Sequence, residues 1–97
     1  MLKEKWSKEA ESKVNEILLY LVTNWTEREA FKFLLKTEKV VSMIIKRPLI
    51  YPIFKNDIRK AVISKQVTLY YRVKNRNLLI VTLFDNRQNP NKLKKVK

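Results

Sequence analysis

The sequence of 97 residues contains no cysteine, no histidine and no glycine. Without cysteine, disulfides and thiolate chemistry are excluded, and a reducing compartment fits. Without histidine, the chain lacks a common metal ligand and proton shuttle, so we expect no metal site and no cofactor. Without glycine, turns that need a positive φ must use other residues, and asparagine is the best substitute. Asparagine stands at the expected breaks between elements: Asn24, Asn56, Asn75, Asn77, Asn86, Asn89 and Asn91.

Long hydrophobic runs are also missing. The N-terminal MLKEKWSKEAESK has no apolar segment of the kind that signal peptides carry, and the runs ILLYLV and LLIV are far shorter than the roughly 18 residues that span a bilayer. We therefore expect a soluble, cytoplasmic protein with no membrane partner. The length fits a single domain over residues 1–97, in which residues 92–97 form a basic tail.

Positive charge is the strongest feature of the composition. Twenty-two Lys and Arg against nine Asp and Glu give a net charge of +13. A field of this size attracts phosphate backbones, anionic membranes or an acidic protein partner, without distinguishing between them.

Two helices are predicted in the N-terminal half. Ser7 can act as an N-cap, and apolar residues at helical spacing follow it, so residues 8–23 are predicted to form an amphipathic helix. Thr26 and Glu29 have the spacing of a capping box for a second helix that continues to residue 46. The short connection predicts that the two helices pack as an antiparallel hairpin.

The hydrophobic period changes to two in the C-terminal half. Residues 47–57, which contain two prolines, are predicted to be a loop. The runs IRKAVIS (58–64), VTLYYRV (67–73) and NLLIVTLF (77–84) follow with tight separations, so they predict a meander of antiparallel strands. A short strand over residues 2–6 beside the last strand completes the order β-α-α-β-β-β.

Alternation in the middle run predicts a sheet with two different sides. One side of the strand is apolar and is expected to receive the helices; it carries Val67, Leu69, Tyr71 and Val73. The other side is polar, aromatic and cationic and is expected to stay open to a partner; it carries Thr68, Tyr70, Arg72 and Lys74.

These segments resemble the RelE/ParE family of small toxins from bacterial type II toxin–antitoxin modules. The resemblance runs from WSKEAESKVNEILLYL through IRKAVISKQVTLYYRV to LLIVTLFDNRQNPNKL and covers nearly the whole chain; its most specific piece is LFDNRQNP. It implies an α+β fold of order β-α-α-β-β-β, in which an N-terminal helical hairpin packs on one face of an antiparallel sheet.

The resemblance also implies partners. Family members are wrapped by a cognate antitoxin that is commonly acidic, and the complex contacts operator DNA only through the antitoxin. RelE-like members cut messenger RNA in the ribosome, whereas ParE-like members, which include plasmid-stabilisation proteins, poison DNA gyrase without being nucleases.

Residues that could contact a target or the antitoxin lie on the open side and beyond the last strand. The candidates are Arg59, Lys65, Tyr70, Arg72, Asn86 and Arg87. A planar guanidinium with five donors at the end of a strand, as at Arg87, suits a carboxylate or a phosphate. Some candidates also have a structural reading: Arg59 and Arg72 could be solvated cross-strand residues, and Asn86 a turn former.

The absence of an aromatic acid or base after Phe84 favours the ParE-like reading. In RelE-like enzymes such a group generally lies just beyond the last strand, but here DNRQNPNKLKKVK contains neither Tyr nor His. We therefore expect a gyrase inhibitor that is not an enzyme, with RelE-like cleavage of messenger RNA as the alternative. A general nucleic-acid-binding module and an inactive remnant that still binds antitoxin remain open.

Overall fold

The computed structural model describes residues 1–86, which form two helices and one five-stranded sheet. In chain order the elements are β1 (Lys3–Trp6), α1 (Lys8–Asn24), α2 (Glu27–Lys46), β2 (Ile53–Lys55), β3 (Ile58–Val62), β4 (Val67–Lys74) and β5 (Asn77–Asp85). The strands lie in the order β1-β5-β4-β3-β2. The predicted α+β class and the helical hairpin are confirmed.

Both helices begin at the predicted caps. The Ser7 hydroxyl accepts a hydrogen bond from the Ala10 N–H at 2.9 Å and donates one to the Val81 carbonyl at 2.6 Å. The Thr26 hydroxyl accepts from the Glu29 N–H at 3.1 Å. These bonds satisfy N–H groups that have no partner within the helix, and Ser7 also attaches α1 to β5.

Two details of the sheet differ from the prediction. The pairing of β1 with β5 is parallel, from Lys3 opposite Asn77 to Trp6 opposite Ile80, so the sheet is mixed rather than antiparallel. The predicted loop 47–57 contains strand β2, which pairs antiparallel with β3. Periodicity could not reveal β2 because three residues are too few to display a pattern.

The helices cover one side of the sheet, here called the helix side, and the opposite side is called the open side. Helix α1 packs on β5 and α2 packs on α1. The predicted inward set of β4 is confirmed, since Leu69 and Tyr71 are fully buried in the core on the helix side. Ile80 and Leu83 both reach this core because β5 carries an extra residue, Val81, between the pairs that face Tyr70 and Tyr71.

Left-handed turn residues replace the missing glycines. Asn56 and Asn75 have φ values of 54° and 52°, as expected for the residue that best tolerates this region. Arg76 also has a positive φ, of 64°. Two successive residues of positive φ between β4 and β5 give the backbone twist that a tight hairpin requires.

Within residues 1–86, no helix is long and apolar enough to cross a membrane.

Candidate functional site

Two of the predicted site residues meet at the C-terminal end of β5. The Asn86 N–H donates to the Gln66 carbonyl at 2.6 Å, and the Asn86 side chain donates to the Lys65 carbonyl at 3.1 Å. The register explains this contact, because the β4–β5 ladder ends with Val67 opposite Asp85. Lys65 and Asn86 are both exposed, so their side chains are accessible at this end of the sheet.

Arg87, the residue in which the sequence indicated a function most strongly, lies outside the described residues. The ladder brings the chain to Asn86 beside the β3–β4 turn. The role of Arg87 in binding stays a prediction.

Arg72 lies on the open side, as predicted. Its Nη2 is 3.0 Å from the Asp57 Oδ1, an ion pair that links β4 to the β2–β3 turn. Its Nε is buried and has no hydrogen-bond partner among residues 1–86. The ion pair with Asp57 therefore fixes the Nη2 end of the guanidinium, while the Arg72 side chain remains about one-third exposed.

Arg59 does not lie on the open side, which corrects its predicted position. It stands opposite Tyr71, whose ring is in the core on the helix side, and its Nη1 donates to the Tyr51 carbonyl at 2.7 Å. The sequence could not decide between the two sides of β3, because each alternating set of residues in 58–63 contains apolar members. Lys60, opposite Tyr70, is the cation that β3 places on the open side.

Tyr70 points to the open side but is buried, with 3% of its surface exposed. The Phe54 ring packs edge-on against it with 4.8 Å between ring centroids, and Ile58 and Phe84 complete what we call the open-side cluster. Burial raises the pKa of the Tyr70 hydroxyl. A phenol of raised pKa that lies under other rings is poorly suited to act as a general base.

Tyr71 provides the contrast on the helix side. Its hydroxyl donates to the Pro48 carbonyl at 2.8 Å. Burial raises its pKa, and the positive charge of Arg59 partly offsets the increase. The two adjacent tyrosines thus belong to separate hydrophobic clusters. The alternation predicted the burial of Tyr71 in the core, but it did not predict the burial of Tyr70.

The sequence missed the lysines that β1 adds to the open side: Lys3 and Lys5 lie on β1 beside Asn77 and Leu79. Lys74, which the alternation of β4 predicted on this side, lies opposite Asn77. The sequence of β1 does show an alternation, in which Lys3 and Lys5 point to one side of the strand and Glu4 and Trp6 to the other. Which side of the sheet the lysines face could be assigned only after β1 was placed next to β5.

The family model described as "ParE toxin of type II toxin-antitoxin system, parDE" matches residues 5–90 of the chain. No curated protein matches the sequence.

Solved structures of several bacterial toxins have the same fold. The chromosomal ParDE system of P. aeruginosa gives a TM-score of 0.64 at 16% identity, covering 88% of this chain and 96% of that one. YafQ from E. coli gives 0.61 at 12% identity, covering 90% and 96%. The YoeB–YefM complex of Staphylococcus aureus gives 0.59 at 17% identity, covering 87% and 95%. At these identities the likeness concerns the fold alone.

Proposed function

Because this chain belongs to the ParE toxin family of type II toxin–antitoxin systems, we propose that it arrests growth by binding DNA gyrase and is neutralised by an acidic antitoxin. In this proposal the exposed end of the sheet around Lys65 and Asn86, continued by Arg87, contacts the target. The protein then acts as an inhibitor and catalyses no reaction.

The chemistry of the open side is the observation that carries the proposal. Cleavage of RNA needs a base for the 2′-hydroxyl and an acid for the leaving oxygen. The chain has no histidine, and Tyr70, the tyrosine that β4 directs to this side, is buried with a raised pKa. Lys60, Arg72 and Lys65 supply positive charge, which suits binding of an anionic surface.

Antitoxin binding is supported by the similar structures and by charge. YafQ has been solved in complex with DinJ, and YoeB in complex with YefM. The net charge of +13 on this chain favours an acidic partner by long-range attraction. As in other members of the family, the toxin–antitoxin complex would contact operator DNA only through the antitoxin.

Induction of the protein alone in bacteria tests the proposal. In the cells, we expect growth arrest with a DNA-damage response and gyrase cleavage complexes. In a separate assay, the purified protein should inhibit supercoiling of DNA by purified gyrase. Lys65→Ala, Asn86→Ala and Arg87→Ala are each expected to weaken inhibition by about tenfold, which corresponds to about 1.4 kcal/mol and is the loss expected for a residue near the centre of an interface.

Lys39→Ala is the matched control. Lys39 is exposed on α2 and does not belong to the proposed target-binding end, so its removal should leave inhibition unchanged. Unimpeded growth with the unmodified protein would contradict the proposal and support an inactive remnant.

Cleavage of messenger RNA by a RelE-like mechanism is the second candidate, and the cationic open side is the observation that favours it. Phosphoryl chemistry needs cations at the developing negative charge, and Lys60 and Arg72 could supply them. This reading predicts ribosome-dependent transcript cuts that vanish in Arg72→Ala or Arg87→Ala, without gyrase complexes.

A further inference from the structure

Four cations occupy the open side at the end of the sheet remote from Lys65 and Asn86. The ladder places Lys5 and Arg72 on either side of Leu79, and Lys3 and Lys74 on either side of Asn77. We call Lys3, Lys5, Arg72 and Lys74 the cation square. With strands about 4.8 Å apart, its two rows each span roughly 10 Å, and they are about 7 Å apart along the strands.

Acidic groups are scarce around the cation square. Asp57 is paired with Arg72, and Glu4, which alternates with Lys3 and Lys5, belongs to the helix side of β1. Three of the four cations are exposed lysines without an ion pair in the described part of the chain. Like charges this close repel one another, so an anionic partner would gain free energy by neutralising them.

The neutral residues between the cations decide which kind of anion fits. Single-stranded nucleic acid is held by exposed aromatic rings on which bases stack. The aromatic rings of the open side are those of Tyr70 and Phe84, which are buried, and Phe54, which packs on Tyr70. Leu79 and Asn77 instead offer an aliphatic surface and an amide, which suit a peptide chain carrying carboxylates.

We propose that the cation square docks an acidic segment of a protein partner, separately from the target-binding end of the sheet. In the context of the proposed function, on which this identification rests, the segment belongs to the antitoxin. Seven residue steps of β4 separate Val67 from Lys74, a distance of about 23 Å. This exceeds the Debye length of about 8 Å, so charges at one end act weakly at the other.

Charge reversal at the cation square tests the proposal. The variant Lys3→Glu/Lys5→Glu/Lys74→Glu is titrated against a fluorescein-labelled oligoglutamate peptide at near-physiological salt, and folding is checked by circular dichroism. We expect binding about tenfold weaker or worse than for the unmodified protein. Should the reversal impair folding, the Lys→Gln variant at the same three positions gives a smaller loss in the same direction.

A variant with the same net charge separates the local effect from the global one. Arg28→Glu/Lys36→Glu/Lys39→Glu changes three exposed cations of α2, and we expect it to alter peptide binding by less than about twofold because of screening. Equal losses in the two variants would overturn the proposal. So would peptide-induced amide shifts at residues 64–66 and 86 rather than at 3–5 and 72–79.

Two further measurements are needed. One distinguishes an acidic peptide from a nucleic acid as the partner, and the other separates peptide binding from gyrase inhibition. Tighter binding of oligo(dT) than of the peptide, with shifts at the same residues, would assign the cation square to nucleic acid and overturn the proposal. Gyrase inhibition by the charge-reversal variant should equal that of the unmodified protein. Peptide binding is measured without gyrase, so a failure of the gyrase proposal would leave this result intact.

Discussion

The two sides of the sheet differ in how much they bury and in how their charges are balanced. Within residues 1–86, the helix side has a core of fifteen buried residues, whereas the open-side cluster has three, with Phe54 packed against them. Helices α1 and α2 together carry seven basic and six acidic residues, so their charges nearly balance. On the open side, the ion pair between Arg72 and Asp57 is the only one found among residues 1–86.

This difference indicates where the stability of the fold resides, and it supports the proposed binding role of the open side. Burial of apolar area supplies most of the free energy of folding, so the helix side holds the molecule together. Unbalanced charge on the open side contributes no stability, because like charges destabilise the compact state. Its presence there is therefore better explained by a partner than by the fold.

Matched truncations in the two clusters give the largest expected contrast. Leu69→Ala on the helix side should lower the free energy of unfolding by about 4 kcal/mol, because a fully enclosed site cannot collapse around the cavity. Ile58→Ala in the open-side cluster should cost about 2 kcal/mol, because a small cluster relaxes more easily. Urea denaturation measures both. Equal losses would mean that the open side is a second core of similar weight.

The cap at Ser7 gives a smaller contrast within the helix side. Ser7→Ala removes both the cap of α1 and the bond to the Val81 carbonyl, so we expect a loss of about 2 kcal/mol. Thr26→Ala removes a cap alone and should cost about 1 kcal/mol. Thermal or urea unfolding compares them. If Thr26→Ala costs as much, the attachment of α1 to β5 does not depend on the Ser7 hydroxyl.

The two adjacent tyrosines give the smallest expected losses of stability at neutral pH. Tyr71→Phe leaves the Pro48 carbonyl without its donor and should cost about 1 kcal/mol, whereas Tyr70→Phe should be nearly neutral. Both folded-state pKa values lie above the ordinary 10.0, so their contribution to stability is present below pH 10 and is lost as the pH rises further.

Alkaline unfolding checks this contrast. Tyr70→Phe should lose less stability than the unmodified protein above pH 10, because it removes one of the groups whose ionisation favours the unfolded state. Ultraviolet titration of the phenolate should show one fewer late-titrating tyrosine. An ordinary titration of Tyr70 would contradict its burial in the open-side cluster.

The helices and the inward side of β4 could be predicted because their signals are local. Ser7 and Thr26 mark helix starts by the chemistry of their own hydroxyls. The alternation around Tyr71 places one set of β4 side chains against the helices whatever the neighbouring strands do.

The candidate site depended on information that no single segment contains. If β3 paired with β4 one residue out of register, Arg59 and Lys60 would exchange sides of the sheet. Only the pairing of Arg59 with Tyr71 decides which of the two faces the open side. Tyr70 was expected to be exposed, but the three-residue strand β2 brings Phe54 over it. Lys65 and Asn86 meet because of where the β4–β5 ladder ends.

By itself, the sequence determined both helices, every strand except β2, the helix caps, the asymmetry of the sheet and the excess of positive charge. Tertiary structure alone decided the parallel placement of β1, the burial of Tyr70 and the gathering of Lys3, Lys5, Arg72 and Lys74 on one surface. The physical reason is that periodicity and capping act over a few bonds, whereas strand register is set by hydrogen bonds between segments distant in the chain.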